Sequence, residues 1–96
     1  MVRYLSLINY TPEGIRAIKD SPQREANFRR DIEAAGGKVE SAFWTIGEID
    51  GAIVFTAPDD ATAATLVLKL GNRGYVRTRT VRAFDVDEFA QIVTGV

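Results

Sequence analysis

Apolar positions along this chain follow two periods. From Val2 to Asn9 they alternate in step with a strand, yet neither side is polar: Leu5 and Leu7 point one way, Val2, Tyr4 and Ile8 the other. Tyr10 to Gly14 opens a helical turn, with Thr11 as N-cap and Pro12 at the first helical position. Ser21-Pro22 repeats that signal, so Asp20-Ser21-Pro22 divides a short helix from a longer one that reaches about Ala35. In the longer helix Phe28, Ile32 and Ala35 fall at helical spacing and form the core stripe. Arg24, Arg29, Arg30, Asp31 and Glu33 lie mainly on its solvent side, and Gly36-Gly37 ends it.

The second strand is expected over Lys38–Ile46 and the third over Ala52–Ala57. The short connection Gly47-Glu48-Ile49-Asp50-Gly51 makes them an antiparallel hairpin. Pro58-Asp59-Asp60 caps the next helix, Ala61 to about Leu70, with Ala64, Val67, Leu68 and Leu70 as its apolar side. Gly71-Asn72-Arg73-Gly74 stops it, and Tyr75–Phe84 reads as the fourth strand. Asp85 with Glu88 three residues on is a capping box for a short last helix carrying Phe89, Ile92 and Val93. The order βαββαβ plus a C-terminal helix is the split βαβ pattern of ferredoxin-like α+β folds. It predicts one domain over residues 1–96, both main helices packed on one face of a four-stranded antiparallel sheet.

The other face of that sheet should then alternate polar with apolar residues, because water meets it. It does not. The second strand offers Val39 and Phe43 on one side and Ala42, Trp44 and Ile46 on the other; the third sets Val54 against Ile53 and Phe55. Whichever side the helices take, large apolar groups remain on the opposite one. A wide exposed apolar patch is rare on a soluble monomer, so a second copy of the chain is the expected cover, sheet against sheet. The competing cover is the last helix folded across the open face.

Composition narrows the chemistry. The chain has no Cys and no His, which removes disulfides, thiolate and Ser-His-Asp nucleophiles, His-ligated haem and ordinary zinc sites. No metal and no cofactor is expected. General acid–base work would fall to carboxylates, Lys or Tyr. The net charge of -1, from 12 basic and 13 acidic residues, is not that of a nucleic-acid or anionic-membrane coat. The third strand also lacks the basic-Gly-aromatic signature of RNA-binding sheets. Gly71–Gly74 follows a helix, the reverse of the order that nucleotide loops need. Met1–Ser6 lacks a signal peptide's apolar run and no stretch has transmembrane length, so the cytoplasm is the expected location.

Asp50 heads the candidate catalytic residues, as a base or hydrogen-bond acceptor at the mouth of a cleft; Asp50-Gly51 equally makes a favoured turn, the carboxylate holding its own backbone. Tyr10, Asn9 and Trp44 accompany it: Asn9 ends the first strand, where it orients a ligand carbonyl or fixes the turn, and Trp44 shares its strand face with Ala42 and Ile46. Tyr4 and Trp44 are candidate ligand-binding aromatics, against the plainer reading that they fill the core or an interface. Arg77 and Arg79, in the cluster Arg73, Arg77, Arg79 and Arg82, share a strand face and suit a carboxylate or phosphate; on an edge strand the same charges deter edge-to-edge pairing.

Further features are set at particular places: Asn9-Tyr10-Thr11-Pro12-Glu13-Gly14, Ser21-Pro22 with Arg24, Gly36-Gly37-Lys38, Gly47 to Asp50, Ala57-Pro58-Asp59-Asp60, and Thr80 with Ala83-Phe84. In these the chain resembles the GYD-domain family, over nearly its whole length. That resemblance implies a dimeric α+β barrel type of assembly. Gly47 and Asp50 match the family's Gly-Tyr-Asp signature, and Ile49 stands at its aromatic position, so no phenol hydroxyl is available there. Related barrels include cofactor-free oxygenases, isomerases, haem enzymes and ligand-binding regulatory modules, an analogy of fold alone. The expected function is a homo-oligomeric domain that binds a small hydrophobic or anionic ligand between sheet and helices. The alternative is a small cofactor-independent enzyme, oxygenase- or isomerase-like, acting on an aromatic or hydrophobic substrate. That alternative requires a closed apolar pocket of about 300 Å³ or more with convergent polar groups.

Overall fold

β1 (Val2–Tyr10) carries large apolar groups on both faces and takes an interior place in the sheet, whose strand order is β2-β3-β1-β4. The computed structural model covers residues 1–96. After β1 come α1 (Pro12–Arg16), a 3₁₀ turn (Ile18–Asp20), α2 (Ser21–Ala34), β2 (Lys38–Trp44), β3 (Gly51–Ala57), α3 (Asp60–Asn72), β4 (Val76–Ala83) and α4 (Val86–Val93). Every strand pair is antiparallel, and β2 and β4 are the edges. The ferredoxin-like βαββαβ reading holds.

α2 and α3 cover one face of the sheet. In register across it lie Val39 on β2, Phe55 on β3 and Tyr4 on β1, all buried. The rings of Tyr4 and Phe55 stack at 5.4 Å, and Phe28 from α2 meets Phe55 edge-on at 5.9 Å. Phe28 and Ile32 form the buried stripe of α2 as expected, with Ala35 packed at its margin. On α3 the expected side is displaced. Asp59 accepts a hydrogen bond from Thr62 N at 2.8 Å and starts the helix so that Ala63, Leu66 and Leu70 face the sheet, with Val67 half-buried. Leu68, a third of a turn beyond Val67, is 71% exposed, and Ala64 is exposed as well.

The second strand also departs from plain alternation. A bulge lies between Val39 and Ser41, so Val39 joins Ala42 and Trp44 on the helix side while Ser41 and Phe43 turn to the other. Pairing ends at Trp44, and Ile46 stands fully exposed in the connection.

The face away from the helices carries Leu5, Leu7, Val54, Phe43 and Val81, with Phe43 66% exposed. α4 does not roof it. Its capping box forms, between Asp85 and Glu88, but no residue of α4 is buried, and Phe89, Ile92 and Val93 remain about half exposed. Arg3 fastens its first turn: the guanidinium donates to Glu88 at 2.6 Å and to Glu40 on β2 at 2.6 Å. That hydrogen bond from Arg3 holds the Glu40 carboxyl below the usual range.

Two glycines are fixed by close approach of backbone. A Cβ on Gly37 would stand 2.0 Å from Thr56 O, and one on Gly14 would stand 2.0 Å from Tyr75 O. The first closes α2 onto β3; the second seats α1 beside the turn into β4, where Thr11 Oγ1 donates to Gly74 O at 2.6 Å. Gly37→Ala should therefore lower the unfolding free energy by about 1–3 kcal/mol. Urea denaturation measures this, and an unchanged midpoint would contradict the approach.

Candidate functional site

At the end of the sheet where β1 runs into α1, the helices part from the strands and leave a half-open cleft of about 60 Å³. Ile8, Ile53 and Val76 form its floor, Phe28 and Leu70 its inner walls, and Trp44, Tyr75 and Asp50 stand among its lining groups. Ser21, the first residue of α2, gathers its polar edge: Trp44 Nε1 donates to Ser21 Oγ at 3.0 Å, and Tyr10 OH shares a hydrogen bond with the same oxygen at 3.0 Å. Ser21-Pro22 gave only a helix-start signal in the sequence; its hydroxyl joins an aromatic from β1 to one from β2.

Four charged residues line the cleft, and three are engaged. Glu25 is held by Arg29 at 2.7 Å and Arg73 by Asp31 at 3.0 Å. Asp50 accepts the backbone N–H of Tyr10 at 2.8 Å. Its carboxylate thus clamps the end of β1 rather than its own turn, as the short-turn reading had it. The hairpin connection is longer than such a turn, with Thr45 N donating to Asp50 O at 2.9 Å and Asp50 N to Ile8 O at 2.9 Å. Arg24 is the fourth. It is not a solvated arginine of α2: its guanidinium lies over the Tyr75 ring at 4.5 Å, Nη1 donates to Ala17 O at 3.0 Å, and Nη2 is buried without an acceptor.

The other candidates are placed elsewhere. Asn9 ties the hairpin to β1, donating from Nδ2 to Glu48 O at 2.8 Å. Arg77 and Arg79 line a shallow, mostly polar recess with Asn9 and Thr11, on the open-face side of β4, not in the cleft. Arg82 points to the opposite face and lies over Phe84 at 4.7 Å, while Arg73 is across the helix layer, so the four arginines form no single site. Tyr4 is in the core, 5% exposed, and donates its hydroxyl to Asp60 at 2.5 Å. No cluster of three His, Cys, Asp or Glu side chains is placed to hold a metal ion. No helix is long and apolar enough to cross a membrane.

Packing by Phe28, Ile32 and Phe55 fills the middle of the layer, and 60 Å³ is far below the about 300 Å³ of an ordinary enclosed substrate pocket. The cleft can hold a small group against apolar and aromatic walls. It does not present the convergent, enclosed set that the enzyme reading required.

Tyr4 supplies a test of the core beneath the cleft. Burial first, and then the hydrogen bond to Asp60, push its phenol up to about 12. An unfolded tyrosine ionises near pH 10, so this contribution to stability is whole below about pH 10 and is lost as pH rises through about 12. Absorbance titration should show a tyrosine ionisation near pH 12, and Tyr4→Phe should remove that step.

Comparison with known proteins adds a lineage. The GYD domain family matches residues 4–93. A Thermus thermophilus protein described as a glutamine synthetase and cystathionine beta-lyase binding protein is 30% identical over 87 residues, covering 90% of this chain and 92% of that protein. The feast or famine regulatory protein Rv3291c of Mycobacterium tuberculosis, solved with L-methionine, superposes with a TM-score of 0.63 at 17% identity. That match covers 90% of this chain and 52% of the regulator, so the chain spans about half of it. FFRP-DM1 superposes at 0.62 and 16% identity, covering 88% of this chain and 100% of that one. At such identities the two structures show the fold alone.

Proposed function

The chain belongs to the GYD-domain family, and from that premise we propose that it is a homo-oligomeric binding module of regulatory type, paired through its open sheet face. The observation that carries this is the apolar sheet face turned away from both packed helices: Phe43 and Val81 are exposed on it, and Leu5, Leu7 and Val54 lie half-buried between them. Burial of apolar area is the main force in association, at about 25 cal/mol per Å². A second copy related by a two-fold axis presents the same residues to itself, so one surface serves both partners. The exposed side of α4, with Phe89, Ile92 and Val93, adds apolar surface past the end of β4, where Arg3 anchors the first turn of the helix.

The family relative from Thermus thermophilus is named for binding glutamine synthetase and cystathionine beta-lyase. Transferred to this chain, that name gives a protein partner of the same kind, an enzyme that the module binds. A small ligand, hydrophobic or anionic, takes the cleft walled by Trp44 and Tyr75.

Phe43 and Trp44 are neighbours on β2 that point to opposite faces, which separates the two surfaces experimentally. Phe43→Asp should reduce the mass in light scattering to that of one chain, whereas Trp44→Asp should leave the assembly intact. Unchanged mass for Phe43→Asp, or a monomeric parent protein at high concentration, would refute the sheet-face pairing. Surface plasmon resonance against glutamine synthetase and cystathionine beta-lyase of the source organism tests the partner: specific, saturable binding to one of them is expected, and binding to neither rejects the transferred description.

A further inference from the structure

We infer that the cleft at the head of α2 is a carboxylate site, in which the guanidinium of Arg24 takes the acid group of a small apolar acid. The inference rests on the reading of that cleft as a ligand seat and adds the chemistry of the ligand. Its starting point is an imbalance. Glu25 and Arg73 are each in an ion pair and Asp50 accepts a backbone N–H, while Arg24, which lines the same cleft, pairs with no carboxylate of the chain. One of its N–H groups is spent on Ala17 O, the planar face of the guanidinium rests on Tyr75, and Nη2 is closed off from solvent with no acceptor in the protein. A buried donor left unmatched is costly, and most so on a charged group. Arginine is also the side chain whose flat fork of donors matches a carboxylate, so an acid is the ligand that completes it.

The rest of the cleft selects the remainder of the molecule. Ile8, Ile53, Leu70 and Val76 offer no polar atom, and Trp44 and Tyr75 add aromatic edges. An apolar tail of a few carbons suits those walls, and the small volume excludes a bulky one. Tyr75 is 36% exposed; its carbonyl is held by Thr11 N at 3.1 Å, so only its ring, turning about the side-chain bonds, can clear the guanidinium. The Tyr75 ring shifts off the guanidinium as the acid enters, and the carboxylate replaces ring contact with two charge-assisted hydrogen bonds. Neither sheet-face pairing nor α4 takes part, because the cleft opens on the helix side.

The single tryptophan of the chain, Trp44, lies in the cleft and reports occupancy directly. Isovalerate is the probe and its uncharged amide, isovaleramide, the control, each titrated against the native protein by tryptophan fluorescence and by calorimetry. Isovalerate should bind at least about tenfold more tightly than the amide. Arg24→Gln, checked for folding by circular dichroism, should abolish the difference. The acid–amide comparison needs no variant, so it decides the matter even where Arg24→Gln does not fold. Equal binding of acid and amide would overturn the Arg24 assignment and leave the cleft standing as an apolar ligand seat. No response to either probe up to about 50 mM would remove the seat itself.

Discussion

A sheet of four strands has two faces, and in this protein the two packed helices are enough for only one. That mismatch organises everything else. β1 is apolar front and back, so its helix-side residues, Tyr4 and Ile8, are taken up by the core, while Leu5 and Leu7 are left on the far side. α4 does not cover them: Arg3 ties its first turn through Glu88, and its own apolar side adds to the exposed apolar surface. Stability of the isolated fold and association of the fold are therefore set by different residues, on opposite sides of the same strands.

The bulge in β2 is what keeps those sides distinct. In unbroken alternation Val39 and Phe43 share a face, and burying one would bury the other. The extra residue at Glu40 lets Val39 enter the core against Phe55 while Phe43, four positions later, points outward. It also brings Glu40 within 2.6 Å of Arg3, so the same irregularity that sorts the apolar groups supplies part of the anchor for α4.

How much of this could be read in the sequence follows from what each signal measures. Caps and breakers act locally, so Thr11-Pro12, Ser21-Pro22, Asp59 and the Asp85–Glu88 box marked element starts within a residue or two. The apolar character of both strand faces was legible for the same reason, since it needs only alternation. Features that depend on pairing between distant segments were not. The bulge at Glu40 exists only against β3, so strict alternation put Val39 on Phe43's side. The facing side of α3 depends on where the helix sits over the sheet, and Leu66 rather than Leu68 meets the core. Asp50 looked like a turn residue because Asp-Gly is a local signal, whereas its carboxylate is used 40 positions away in sequence, at Tyr10.

The candidate site shows the same limit more sharply. Tyr10 and Trp44 were recognisable as polar-tipped aromatics, but what makes them a site is Ser21, whose hydroxyl lies 3.0 Å from each. Arg24, one turn along α2, reads as a solvated charge in any helical projection. It becomes unusual only because β4 begins at Val76, which sets Tyr75 under its guanidinium and shuts water away from Nη2. Helical periodicity assigns a residue to a face, and it cannot say what the rest of the chain brings to that face. The three signals that converge here come from a helix start, a strand end and a turn, each ordinary alone. Their meeting is a property of the sheet order β2-β3-β1-β4, which puts the end of β1 between the hairpin on one side and the start of β4 on the other.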